Sequence, residues 1–152
     1  MKNGAEEKKL SRECLISTGA TAPFPALIAA VLGEDCIQQF ADLGYTKLVF
    51  QAGDALRYLY EIKPEKTLGV EIEAFDFNRE GLTKQMKACI GRAGKSKEGL
   101  VICHAGAGTI LDAMRMGLPI IVVPNPTLLD NHQEELAQEL QRQGYVLKSD
   151  VK

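Results

Sequence analysis

No stretch of this chain is an uninterrupted apolar run of the roughly 20 residues that a bilayer-spanning helix needs. Its start, MKNGAEEKKLSRE, is charged where a secretory signal would require an apolar centre. The expectation is a cytosolic chain with no membrane span of its own. A basic excess is missing too: 18 Lys and Arg stand against 20 Asp and Glu, a formal net charge of -2, which offers no general attraction to nucleic acid or anionic lipid. Cysteine is sparse and unpaired in pattern. Cys14, Cys36, Cys89 and Cys103 form no CxxC, and two of them lie inside apolar, strand-like runs, so they read as reduced, buried thiols. There is no HExxH, no Cys/His metal spacing, no Walker loop and no Ser/His/Asp arrangement with an elbow. Glu71-x-Glu73 reads as the exposed face of a strand. Neither a metal nor a cofactor is therefore expected. Internal repeats and low-complexity tracts are absent.

What is present is a run of alternating strand-like and helix-like segments. At 152 residues, 45% of them apolar, the chain suits one globular domain. Residues 1–12 read as a polar N-terminal extension and residues 13–152 as the folded unit. Cys14 to Ser17 is a first buried strand, and Pro25 starts a helix carrying Leu27, Ile28, Val31 and Leu32. A second helix puts Ile37, Phe40, Ala41 and Leu43 on one face before Gly44. Tyr45 to Gln51 is the next strand. In the connection Ala55 to Thr67, which reads as irregular or briefly helical, Leu56, Leu59, Tyr60 and Ile62 are placed to pack on the sheet. Leu68 to Phe75 alternates apolar and acidic residues, as an edge or half-buried strand does. A helix over Gly81 to Gly91 follows, then a flexible basic turn from Arg92 to Gly99. This succession predicts an α/β fold with a Rossmann-like, doubly wound, mostly parallel sheet.

The most constrained stretch runs from Leu100 to Leu140. Two apolar runs, Leu100 to Cys103 and Ile120 to Val123, each end in a loop of small or polar residues that leads into a helix. With Thr18 to Ala22 after the first strand, three such loops share one sheet edge, where open α/β sheets bind ligands. Small side chains let backbone N–H groups approach an anion, and helix N-termini face it. His104-Ala105-Gly106-Ala107-Gly108-Thr109 contains GxG but not GxGxxG, so a dinucleotide fingerprint fits poorly. Gly106 and Gly108 serve either a tight turn and close helix packing or a diphosphate. Thr109 and Asp112 have capping-box spacing, and a cap is the favoured role for Asp112 over a bond to the two ribose hydroxyls. Asp130, Asn131, His132 and Gln133 open the last long helix with more hydrogen-bonding groups than capping needs, a set that suits a sugar. His104 and His132 are the only histidines; each is a candidate donor contact and could titrate near neutrality, while the catalytic base itself is left unassigned on this chain or on a partner.

The motifs HAGAGTILDA from His104, GLPIIVVPNP from Gly117 and DNHQ-x-ELA from Asp130 resemble a known family. With Thr18-Gly-Ala-Thr-x-Pro-Phe and Leu48-Val-Phe-Gln-x-Gly, the resemblance extends from Glu13 to Val146. The family comprises the small soluble, donor-binding subunits of the eukaryotic enzyme that transfers GlcNAc from UDP-GlcNAc to dolichyl-diphosphate-GlcNAc. These are similar to the C-terminal half of GT-B glycosyltransferases. The resemblance implies that Phe75 holds the uracil, Asp112 the ribose, and Ala105 to Thr109 the diphosphate. It places Asn131, His132 and Gln133 on the sugar, with Thr18, Gly19 and Thr21 across the cleft. It further implies an inverting transfer, with the acceptor presented by a membrane-anchored partner at the cytosolic face of the endoplasmic reticulum. The other readings are a non-catalytic Rossmann-like module that binds a nucleotide or a protein, and a homologue that keeps the fold without the activity.

Overall fold

Cys14 to Ser17, Leu48 to Gln51 and Val101 to Cys103 are buried without a break, as central strands covered on both faces must be. A computed structural model describes residues 10–18, 23–104, 107–125, 135, 138–139, 141–144 and 147–149. Among these, the strands are β1 (Glu13–Ser17), β2 (Lys47–Gln51), β3 (Glu71–Phe75), β4 (Leu100–Cys103), β5 (Ile120–Val122) and β6 (Leu147–Lys148). They form one sheet in the order β3-β2-β1-β4-β5-β6, and every pairing is parallel. That is the strand order of doubly wound dinucleotide-binding folds. The expected fold class is thus the observed one. The short β6 carries no signal that sequence patterning registered, being only two residues long.

The helices are α1 (Pro25–Val31), α2 (Glu34–Asp42), α3 (Leu56–Ile62), α4 (Thr83–Ala88) and α5 (Ala107–Arg115). Pro25 stands in the first turn of α1, where its missing N–H is no loss. Side-chain alternation along the strands splits the core in two. Cys14, Ile16, Leu48, Phe50 and Ile102 pack with Leu27, Ile28, Ile37, Phe40 and Leu59 from α1, α2 and α3. Leu15, Val49, Val101, Cys103 and Val122 pack with Met86, Ile110 and Ala113 from α4 and α5. Each fully buried Leu, Ile or Phe contributes about 1.5–3 kcal/mol, so these two faces hold the fold together.

Several local expectations are corrected. Leu43 does not share the buried face of α2: the helix ends at Asp42, and Leu43, at its C-cap, is 58% exposed. The segment after Ala55 is helical as α3, with Leu59 buried, but Tyr60 points to solvent at 56% exposure. β3 begins only at Glu71, because Leu68 (φ 54°) and Gly69 (φ 85°) turn the chain in the left-handed region first. The strand does lie at the sheet edge, as its alternation implies. Arg92 to Gly99 is not a loose turn. Arg92 N–H donates to the Ser96 carbonyl (2.9 Å), Lys97 N–H to the Ser11 carbonyl (2.8 Å), and the Ser96 hydroxyl to the Ile90 carbonyl (2.8 Å). Arg12 ties the chain start to the same region, its guanidinium donating to the carbonyls of Glu98 (2.8 Å) and Leu43 (2.7 Å).

Candidate functional site

Four polar residues are buried among the described ones, namely Ser17, Thr18, Gln51 and Asn125. All lie at, or within three residues of, a strand's carboxyl end. Buried polar groups cost free energy unless they are hydrogen-bonded, so their gathering on one sheet edge calls for a reason beyond packing. The chain runs outward from β1 through β2 to β3, then crosses back to start β4 on the other side of β1. The ends of β1 and β4 therefore flank the point where strand order reverses, the crevice in which such sheets bind ligands.

Ser17 is the common root of both flanking loops. Its carbonyl accepts the His104 N–H at 3.1 Å, and its hydroxyl donates to Gln51 Oε1 at 2.8 Å. Thr18 is fixed twice to the Gln51 carbonyl, by its N–H (3.1 Å) and its hydroxyl (2.9 Å). Asn125, after β5, donates from Nδ2 to the Pro23 carbonyl at 3.3 Å and so links the third loop to the first. Sequence reasoning does not single out Ser17, Gln51 or Asn125 as site residues. The available signal was a polar residue closing an otherwise apolar run, for Ser17 and Gln51, and an Asn between two prolines for Asn125.

On the far side, Phe75 is the last residue of β3, partly buried against the α4 and α5 cluster. Its carbonyl accepts the Ala52 N–H (2.9 Å), and the next carbonyl, that of Asp76, accepts the Gly53 N–H (2.8 Å). Gly53 makes this second bond at φ 54°, a conformation that favours glycine, which explains the glycine of Gln51-x-Gly53. His104 follows β4 and is partly buried. Burial pulls its imidazole below the usual histidine range and so favours the neutral ring near pH 7.

The described part of α5 already includes Ala107 and Gly108, so Thr109 lies inside the helix and is not its cap. The favoured capping box is therefore wrong. Asp112 lies inside the helix, exposed, with Arg115 at 3.4 Å as its partner; an exposed pair of this kind is worth little and is easily exchanged for another partner. Gly108 is not needed for helix packing either, since a Cβ there would meet no atom within 4 Å. Gly19, Thr21, Ala105, Gly106, Asn131, His132 and Gln133 lie outside the described residues. So do Asp130 and the start of the last long helix, of which positions 135, 138–139 and 141–142 are helical.

Other chemistry finds little support here. Burial pushes the Cys103 thiol up to about 12 and that of Cys89 up to about 11, so both stay protonated and unreactive at neutral pH. Among the described residues, no three His, Cys, Asp or Glu side chains come together as a metal site, and no helix is long and apolar enough to cross a membrane. A cavity of about 380 Å³ lined by Leu32, Ile37, Pro64 and Leu68 lies beside the amino end of β3. It is at the opposite sheet edge from the buried polar residues, and the chemistry argues for the polar edge over this cavity.

Residues 14–152 match the family model described as the glycosyltransferase family 28 C-terminal domain. The UDP-N-acetylglucosamine transferase subunit ALG13 of Yarrowia lipolytica is 38% identical over 135 residues, 89% of this chain. This chain spans 63% of that relative's length. The protein of the same name from Saccharomyces cerevisiae is 31% identical over 159 residues, covering 93% of this chain and 77% of its own. A solution structure of ALG13 superposes with a TM-score of 0.68 at 25% identity, over 93% of this chain and 79% of the other.

Proposed function

The chain belongs to the glycosyltransferase family 28 C-terminal domain family, and on that premise we propose that residues 13–152 form the UDP-GlcNAc-binding half of an N-acetylglucosaminyltransferase. The observation that carries this reading is the joining of two loops, after β1 and β4, at the single buried residue Ser17 where strand order reverses. In it, Phe75 supports the uracil and Asp112 exchanges Arg115 for the ribose hydroxyls. Ala105, Gly106, Ala107, Gly108 and Thr109 surround the diphosphate, where backbone N–H groups and the start of α5 face negative charge. Asn131, His132 and Gln133 contact the sugar, and Thr18, Gly19 and Thr21 close the cleft from β1.

The reaction is an inverting displacement. The acceptor 4-hydroxyl attacks the anomeric carbon, the bond to the β-phosphate oxygen breaks with its electron pair, and UDP leaves as the hydroxyl proton passes to a base. His104, kept neutral by burial, has the right state for that base, and His132 is the second candidate. Charge developing on the leaving diphosphate meets preorganised N–H donors, each worth about 3–4 kcal/mol when well placed. The acceptor, a dolichyl-diphosphate-GlcNAc, and the second half of the cleft come from a membrane-anchored partner at the cytosolic face of the endoplasmic reticulum. Reconstituted transfer tests this directly. GlcNAc should pass from UDP-GlcNAc to the lipid-linked acceptor only when both subunits are present. Calorimetric preference for NAD over UDP, or transfer by the partner unaffected by this chain, would point instead to a non-catalytic module.

A further inference from the structure

Gln51 is nine-tenths buried, with 6% of its surface exposed, yet only half of its carboxamide is engaged. Oε1 accepts the Ser17 hydroxyl. Nε2, with two N–H donors, has no hydrogen-bond partner and is not sealed from solvent. Sheet register sets Gln51 opposite Ser17 on one side and Phe75 on the other, with Cys103 opposite Ser17 in turn. The four side chains thus form a row on the face that α4 and α5 cover, at the strands' carboxyl edge. An ordinary core would place an apolar residue there, as Val49 and Leu15 do two residues earlier in the same two strands.

We infer that Gln51 is a donor-contacting residue: the Ser17 hydroxyl orients its carboxamide so that Nε2 faces the cleft and donates to a phosphoryl oxygen of the bound nucleotide diphosphate. Two features favour phosphate over the base or sugar as the acceptor. Ser17, the residue that orients the amide, also anchors the loops after β1 and β4 between which the diphosphate is proposed to lie. The Ser17 bond also occupies the carboxamide oxygen, so the side chain presents donors only, which suits an anion that can only accept. A hydrogen bond to a charged oxygen in a half-buried cleft is among the stronger ones.

This inference rests on the donor-site reading above, and its test separates the two. Binding of UDP and of uridine is measured by calorimetry for the unaltered protein, Gln51→Leu and Ser17→Ala. Gln51→Leu removes the donors together with the Ser17 bond, whereas Ser17→Ala removes that bond alone. The expected result is a loss of about tenfold or more in UDP affinity for Gln51→Leu, a smaller loss for Ser17→Ala, and uridine affinity within about twofold in both. A readout without substitution accompanies it: in the unaltered protein, the Gln51 side-chain N–H resonances should shift on adding UDP and stay put with uridine. Equal UDP losses for the two variants, parallel losses for UDP and uridine, or silent Gln51 resonances under UDP binding overturn the inference while leaving the donor site standing. Failure of the unaltered protein to bind UDP removes both.

Discussion

At the scale of single residues, Asp112 stands exposed inside α5 with the Arg115 guanidinium 3.4 Å from its carboxylate. Its spacing from Thr109 fits a capping box, but Ala107 and Gly108 before Thr109 are already helical, so the Thr side chain is not at the cap. What remains of Asp112's structural role is an exposed pair with Arg115. Asp112→Ala should therefore shift stability by no more than about 0.5 kcal/mol while weakening UDP binding. Denaturant melts beside calorimetric titration check this, and a loss of 1 kcal/mol or more in stability would restore a structural role. His104 makes the second residue-scale prediction. Burial disfavours the charged ring and holds its folded-state pKa below the ordinary histidine value of 6.5, so below pH 6.5 the unfolded chain takes up the proton first. This contribution to stability is whole above pH 6.5 and is lost as pH falls from there through the lower folded-state value. Thermal melts of the unaltered protein and His104→Gln across pH 5 to 8 should show a steeper acid-side decline in the former; parallel curves would contradict the burial effect.

At the scale of elements, strands and helices were legible where burial is complete and blurred where the chain turns. β4 matches the apolar run Leu100 to Cys103 residue for residue, because a strand covered on both faces admits nothing else. Leu43 and Leu68 mislead because hydrophobicity marks them for the interior, whereas the C-cap of α2 and a left-handed turn set them outside. The loop from Arg92 to Gly99 looks free by composition, but long-range bonds to Ser11 and Arg12 hold it, and no local pattern encodes those. Gly99 closes this segment with its N–H donating to the Cys89 carbonyl at 2.7 Å. A Cβ at Gly99 would run into the Glu13 carbonyl at the start of β1, and backbone cannot swing aside as a side chain can. Gly99→Ala should cost about 3 kcal/mol, visible as a lower denaturant midpoint with unchanged slope. Gly108→Ala, open on all sides, is the contrasting control.

At the scale of the whole molecule, two regions compete as the place where a ligand binds. The cavity beside the amino end of β3 has volume and apolar walls from Leu32, Ile37 and Leu68. The opposite edge has the four buried polar residues and the reversal of strand order. Apolar walls favour the first; the unpartnered amide of Gln51, and the convergence of the β1 and β4 loops on Ser17, favour the second. A ligand that binds only the folded state stabilises it by about 2.7 kcal/mol at a hundredfold excess over its Kd, and it protects first the amides whose opening would release it. Hydrogen exchange with UDP present should therefore slow Ser17, Thr18, His104, Gly108 and Thr109, and leave Leu32, Ile37 and Leu68 unchanged. Protection confined to the second group would move the nucleotide to the other edge of the sheet. The test reads the molecule as a unit because Ser17 touches both loops: the 82 residues 18–99 separate β1 from β4, yet one hydrogen bond from the His104 N–H to the Ser17 carbonyl joins their ends. A ligand seated there must protect both loops together, so protection of one without the other would break the claim that they form a single site.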